Sequence, residues 1–202
     1  MILDPALKEI FASPKLVVCD FGETLFTWNV DWDGFRWDMR RWGEQLGFEG
    51  VQTLRFLREH VEAEMLGRIL CTWRDYEQND VESALVNRPL LGVLKLLKRN
   101  DPTKRFAIFS ANLQSTIALI FERFDVSDLF DLIVSSDDVL RGKPDPEGLV
   151  KILAAWDAAP EDAILIGNSW KDLEAGRTAG VRTYDVNQMA DGRFRLVPIW
   201  ER

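Results

Sequence analysis

The stretch KLVVCDFGETL, residues 15–25, decides how the rest of the chain is read. Leu16 to Cys19 form an unbroken apolar run with adjacent β-branched residues, the pattern of a strand buried on both faces. Asp20 then stands at the C-terminal end of that strand, followed by a loop containing Gly22. A carboxylate in that place faces the sheet edge where α/β folds bind ligands, and it can act as a nucleophile. Taken alone the feature is weak, because aspartate commonly caps a turn or a helix.

Four further runs resemble the first: RFAIFS (105–110), DLIVSS (131–136), DAILIG (162–167) and VRTYDV (181–186). Helical patterns separate them, namely LLGVLKLLK (90–98), STIALIFERF (115–124), PEGLVKILAAW (146–156) and KDLEAGRTAG (171–180). Alternating strands and helices predict an α/β fold of three αβα layers, Rossmann-like, around a parallel sheet. Right-handed crossovers then bring every strand C-terminus to one edge. Residues 26–95 read differently, as helices at RWDMRRWGEQL (36–46), VQTLRFLREHVEAEML (51–66) and WRDYEQNDVESAL (73–85), with no strand. The expected division is an α/β core of residues 1–25 plus 96–202, with an inserted all-helical cap at 26–95 above the strand ends.

Composition narrows the chemistry. The 202 residues are 47% hydrophobic and 29% charged, ordinary for a globular chain. A net charge of −8 without a basic stripe argues against a nucleic-acid partner. No apolar run reaches the roughly 20 residues needed to span a bilayer, and MILDPALKEIFASPK is too charged for a signal peptide. Cys19 and Cys71 have no metal-ligand spacing, and Cys19 reads as a small core residue, so a reducing cytoplasm is the expected location. The single histidine, His60, reads as a surface helix residue, which leaves a histidine triad or a multi-histidine zinc site without ligands. The chemistry falls to carboxylates, hydroxyls and lysines, with a small anionic molecule as the expected partner and a monomer or homodimer as the assembly.

Three more clusters lie at strand ends. Ser110-Ala111-Asn112 offers a hydroxyl and backbone N–H groups at the start of a helix, an arrangement that binds anions but is also an ordinary helix cap. In Arg141-Gly142-Lys143-Pro144-Asp145-Pro146, Asp145 fits a helix cap and Pro146 the first turn, and the prolines fix the loop that carries Lys143. Gly167-Asn168-Ser169-Trp170-Lys171-Asp172 follows a strand and opens a helix. In the insert, Trp28, Trp32, Trp37, Trp42 and Trp73 read chiefly as a small helical core, and Arg36, Arg40 and Arg41 as a solvated face within reach of an anionic substrate.

Together these clusters resemble the haloacid dehalogenase superfamily, in the subfamily whose helical cap follows the first core strand. Family members carry D-x-D-x-T/V, then Ser or Thr, then Lys, then G-D-x-x-x-D, each after a strand. The matching residues here are Asp20, Thr24, Ser110, Lys143 and Asp172. The resemblance implies a phosphatase in which Asp20 attacks phosphorus and forms an aspartyl-phosphate. It implies that Ser110, with Ala111 and Asn112 beside it, and Lys143 hold the phosphoryl oxygens. It also implies Mg²⁺ on Asp20, the Gly22 carbonyl, and Asn168 or Asp172.

Two positions depart from the pattern. Gly22 stands where the family's second aspartate protonates the leaving group, and general acid–base help of that kind is worth roughly 100- to 10,000-fold. Glu23, Asp31 and Asp33 are candidate substitutes that also read as solvated loop carboxylates. Asn168 replaces a carboxylate expected at the metal, which weakens magnesium binding. Three readings stay open: a Mg²⁺-dependent phosphatase of a small metabolite, a metal-independent dehalogenase or phosphonatase-like hydrolase, and a non-catalytic protein that binds a phosphorylated ligand.

Overall fold

The computed structural model describes residues 5–188 and 194–198. Its elements in chain order are α1 (Pro5–Ala12), β1 (Leu16–Cys19), β2 (Phe26–Thr27), α2 (Trp32–Leu46), α3 (Leu54–His60) and α4 (Ala63–Gln78). They continue with β3 (Leu85–Val86), α5 (Arg88–Asn100), β4 (Arg105–Phe109), α6 (Gln114–Phe124), β5 (Leu132–Val134) and α7 (Glu147–Ala155). The chain then forms β6 (Ala163–Gly167), α8 (Trp170–Ala179), β7 (Arg182–Gln188) and β8 (Phe194–Pro198).

The main sheet has the order β5-β4-β1-β6-β7-β8. Its first five strands are parallel, and β8 adds an antiparallel edge to β7. The five expected strands are all present, so the α/β reading holds. β1 lies at the centre, in register with Arg105–Ile108 on one side and Ala163–Ile166 on the other. Strand alternation divides its side chains between two cores. Val17 and Cys19 pack with Ile108, Ile166 and the buried faces of α5 and α6, while Leu16 and Val18 pack with Ala107, Leu165, α7 and α8. This double coverage explains why β1 reads as uninterrupted apolar sequence.

A third cluster, around Phe35, Met39, Leu54, Leu57, Ile69 and Trp73, holds α2, α3 and α4 together. Leu113, in the loop before α6, packs into it and joins it to the strand ends. Helix α5 runs from residue 88 to 100 across the expected boundary at 95/96, and its Leu90, Val93, Leu94 and Leu97 lie in the core on the sheet.

Three local expectations need correction. Residues 26–95 are not free of strand, because β2 and β3 pair antiparallel where the chain leaves and rejoins the main sheet. Residues 51–66 are not one helix. Val61, at φ −122° and ψ 135°, ends α3, and α4 begins at Ala63. Residues 73–85 are likewise not one helix, since α4 stops at Gln78 and a 3₁₀ turn at Val81–Ser83 leads into β3. The tryptophans also divide. Trp28 and Trp73 are buried, Trp32 and Trp42 pack partly, and Trp37 is exposed. Among the described residues no helix is long and apolar enough to cross a membrane.

Candidate active site

Asp20 leaves the end of β1 with its backbone N–H donating to the Ile166 carbonyl. Its side chain is buried and its two oxygens have separate partners. Thr24 Oγ1 donates to Oδ2 at 3.0 Å, and Lys143 Nζ donates to Oδ1 at 2.5 Å. The same ammonium donates to Asp172 Oδ1 at 2.6 Å, so Lys143 lies between two carboxylates. Asp172 Oδ2 accepts from the Ser169 hydroxyl and N–H, closing a capping box at the start of α8. Gly167 permits this approach, because a Cβ there would stand 2.6 Å from Asp172 Cβ.

Electrostatics follow from that arrangement. Burial and the neighbouring Asp172 charge push the Asp20 carboxyl up to about 6, against the pull of Lys143. Burial acts on Asp172 in the same direction, but Lys143 and the Ser169 donors outweigh it and hold its pKa below the ordinary value. For Lys143, burial disfavours the ammonium, yet the Asp172 and Asp20 charges overcome it and its pKa stands above normal. At neutral pH the trio carries one positive and two negative charges.

Ser110 follows β4 and is buried, with its N–H on the Val134 carbonyl. Its hydroxyl donates to Asn112 Oδ1 at 2.9 Å, and the Asn112 N–H donates back to Ser110 Oγ at 3.0 Å. Ala111 between them is exposed. Asn168 lies beyond β6 and donates from Nδ2 to the Glu23 carbonyl at 3.1 Å. Asp20, Gly22, Ser110, Asn112, Lys143 and Asn168 all line one cavity of about 530 Å³. Thr24 and Asp172 stand behind it and hold Asp20 and Lys143.

The secondary candidates separate on geometry. Asp31 caps α2 by accepting from the Gly34 N–H, and Asp33 pairs with Arg36 at 2.6 Å. Glu23 lines the cavity, with partial burial raising its pKa and with its backbone at φ 60°, in the left-handed region that favours glycine. Arg36 and Arg40 also line the cavity, whereas Arg41 lies over the Trp37 ring. His60 is exposed at the end of α3, stacked on Phe56. Asp145 caps the α7 start by accepting from the Glu147 N–H, and Pro146 precedes the helix rather than opening it.

A magnesium ion takes oxygen ligands, commonly one or two carboxylates together with water. Asp20, the Gly22 carbonyl and the Asn168 amide oxygen fit a site of that kind with a single carboxylate. Asp172, the other carboxylate expected there, stands behind the cavity that Asp20 lines, with its oxygens on Lys143 and Ser169. Among the described residues no group of three or more His, Cys, Asp or Glu is clustered for a metal.

One residue of this site was missed in the sequence. Glu77 lies on α4, is 1% exposed, and reaches the Ser110 loop. Trp73 Nε1 and Asn112 Nδ2 donate to its Oε1, and the Leu113 N–H donates to its Oε2. Burial pushes its carboxyl up to about 7 despite these donors. The available signal was its place on the apolar stripe Ile69-Trp73-Glu77 at i, i+4 and i+8.

The match to known proteins agrees with this geometry. The family model for haloacid dehalogenase-like hydrolases covers residues 36–186, well over half of the chain. The chain belongs to that family. Among solved structures, this haloacid dehalogenase-like chain is similar to a HAD-superfamily hydrolase, subfamily IA, variant 1, from Geobacter sulfurreducens, at 19% identity and TM-score 0.56 over 85% of this chain and 86% of that one. It is similar in fold to CbbY from Rhodobacter sphaeroides in complex with phosphate, at 18% identity and TM-score 0.60 over 87% of each chain. In sequence, pyrophosphatase PpaX from Bacillus cereus (strain B4264) is 33% identical over 92 residues, which is 46% of this chain and 43% of that protein. The alignment thus spans less than half the length of that relative.

Proposed function

We propose that this haloacid dehalogenase-like chain is a hydrolase of a small phosphorylated metabolite, with Asp20 as nucleophile and the α2–α4 unit as a cap over the site. The observation that carries the reading is the convergence of Asp20, Ser110 and Lys143 from three separate segments on one cavity. The pyrophosphatase name of one relative and the phosphate bound by one structural neighbour support phosphorus as the electrophile.

In this reading an Asp20 oxygen attacks phosphorus, and the bond from phosphorus to the substrate oxygen breaks. Ser110 and Lys143 bind the equatorial oxygens, where charge is greatest in the transition state. The departing oxygen takes a proton from an acid, and water then attacks the aspartyl-phosphate, releasing phosphate and restoring Asp20. With glycine at position 22, Glu23 is the carboxylate best placed for the acid–base part, since it lines the cavity and Asp31 and Asp33 do not. Magnesium, held by Asp20, the Gly22 carbonyl and Asn168, would supply further charge neutralisation.

The test is turnover of an activated aryl phosphate with Mg²⁺ and with EDTA. The expected result is hydrolysis that EDTA suppresses and that Asp20→Asn abolishes. Halide release from a 2-haloacid, unaffected by EDTA, would replace the reading with carbon–halogen hydrolysis, a chemistry compatible with an ammonium already seated between Asp20 and Asp172. Silence in both assays, with phosphate still raising the melting temperature, would make the protein a binder of phosphorylated ligands.

A further inference from the structure

The space beside Gly22 is organised by one residue that no motif of the family pattern contains. A Cβ at Gly22 would stand 3.1 Å from Asn112 Oδ1 and 3.9 Å from the Trp28 ring. Both neighbours are held by Glu77, which accepts from Asn112 Nδ2 through its carboxylate and from Trp28 Nε1 through its backbone carbonyl at 2.8 Å. Asn112 directs its NH₂ at Glu77 Oε1, an orientation enforced when the carboxylate is ionised and can only accept hydrogen bonds. Its amide oxygen is thereby turned toward the Ser110 hydroxyl and the Gly22 gap.

We propose that Glu77 is a positioning residue. Acting from α4, it fixes Asn112 so that the amide oxygen occupies the gap beside Gly22 and sets the orientation of the Ser110 hydroxyl. The role suits its surroundings. The group is buried at the junction of α4 with the loop before α6; it accepts from Asn112 and Leu113 across that junction and from Trp73 within α4. Such a network costs much to leave half satisfied and therefore holds one arrangement. It also links the α2–α4 unit directly to the loop that carries Ser110.

The assignment of Ser110 to a phosphoryl group rests on the proposed function, so the test has one arm that needs no turnover. Side-chain amide resonances of Asn112 are recorded at pH 8 in the full chain, in wild type and in Glu77→Gln. The expected result is a clear displacement of the Asn112 pair in Glu77→Gln. An unmoved pair in a folded Glu77→Gln variant overturns the proposal.

The second arm measures aryl-phosphate hydrolysis in Glu77→Gln, Asn112→Ala and the double variant. Misplacing a substrate-orienting group by about an ångström costs up to roughly 100-fold. Each single variant should therefore lose roughly 10- to 100-fold in kcat with KM within about threefold, and the double should be no worse than Asn112→Ala. Losses that multiply in the double, or a folded Asn112→Ala with normal kcat, overturn it. Asn112→Ala keeps this arm decisive should Glu77→Gln fail to fold. A wild type without turnover, combined with a displaced Asn112 pair, removes the phosphoryl reading and leaves the assignment of Glu77 standing.

Discussion

Asp20, Lys143 and Asp172 form a unit in which no member is neutral at pH 7 and each depends on the other two. Glu23 stands one residue past Gly22 under a different constraint. Its φ of 60° places a side-chain-bearing residue where glycine is at ease, a conformation that costs about 1 kcal/mol or more. Glu23→Gly should therefore raise stability by about 1 kcal/mol in denaturant titration. The same variant should lower kcat, by roughly 100-fold or more if the carboxyl supplies general acid–base help. A variant that is both more stable and fully active would remove Glu23 from the mechanism.

At the scale of elements, α3 is placed by contacts from outside itself. Its cap Thr53 accepts from the Phe56 N–H and donates to the Val139 carbonyl at 2.6 Å, while Ser136 accepts from the N–H groups of Leu54 and Arg55. The start of this helix is thus tied to the loop after β5, and Thr53 and Ser136 both line the cavity. Thr53→Ala removes the cap and the bond to Val139. The expected cost is about 1–2 kcal/mol, read as a fall in melting temperature of about 2–4 °C per kcal/mol. Because the lost contacts join α3 to the loop after β5, KM should rise as well, and a stability loss with unchanged KM would mean that α3 does not shape the substrate site. The same ties explain why the helix starts at Leu54 and not at Val51, since that end of α3 is set by partners remote in sequence.

For the whole molecule, buried acids set the response to pH. The carboxyls of Asp20 and Glu77, raised to about 6 and about 7, bind protons in the folded state that the unfolded chain has already released. Their contribution is fully present at acid pH and declines as pH rises from about 4 through 7. Asp172, with its pKa lowered, acts in the opposite sense and loses its contribution as pH falls through its folded value. Replacing Glu77 isolates one term. The stability of Glu77→Gln relative to wild type should improve between pH 5 and pH 8 in denaturant midpoints, and a constant difference would show that Glu77 titrates normally. Activity follows the nucleophile, which must be ionised to attack. Accordingly kcat/KM should rise with pH through a midpoint near 6, and with Glu23 as the acid it should fall again where that carboxyl has lost its proton.

The sequence by itself determined the sheet, because a strand buried on both faces must be apolar throughout and the central strands β1 and β6, with β4 after its first residue, are written that way. It also determined the strand ends that carry Asp20, Ser110 and Asn168, since parallel connections of one hand leave those ends no other edge. What only tertiary structure decided is how these groups spend their hydrogen bonds. Asp172, expected at a metal, instead serves Lys143 and Ser169, and Asp31 and Asp33 are occupied by a helix cap and an arginine. Glu77 was hidden because its partners Asn112 and Leu113 lie 35 and 36 residues away, and helical periodicity reports which face is buried but not what meets it. The short β2–β3 pair was hidden for the same reason, being two residues long on each side and formed only where the chain returns to itself.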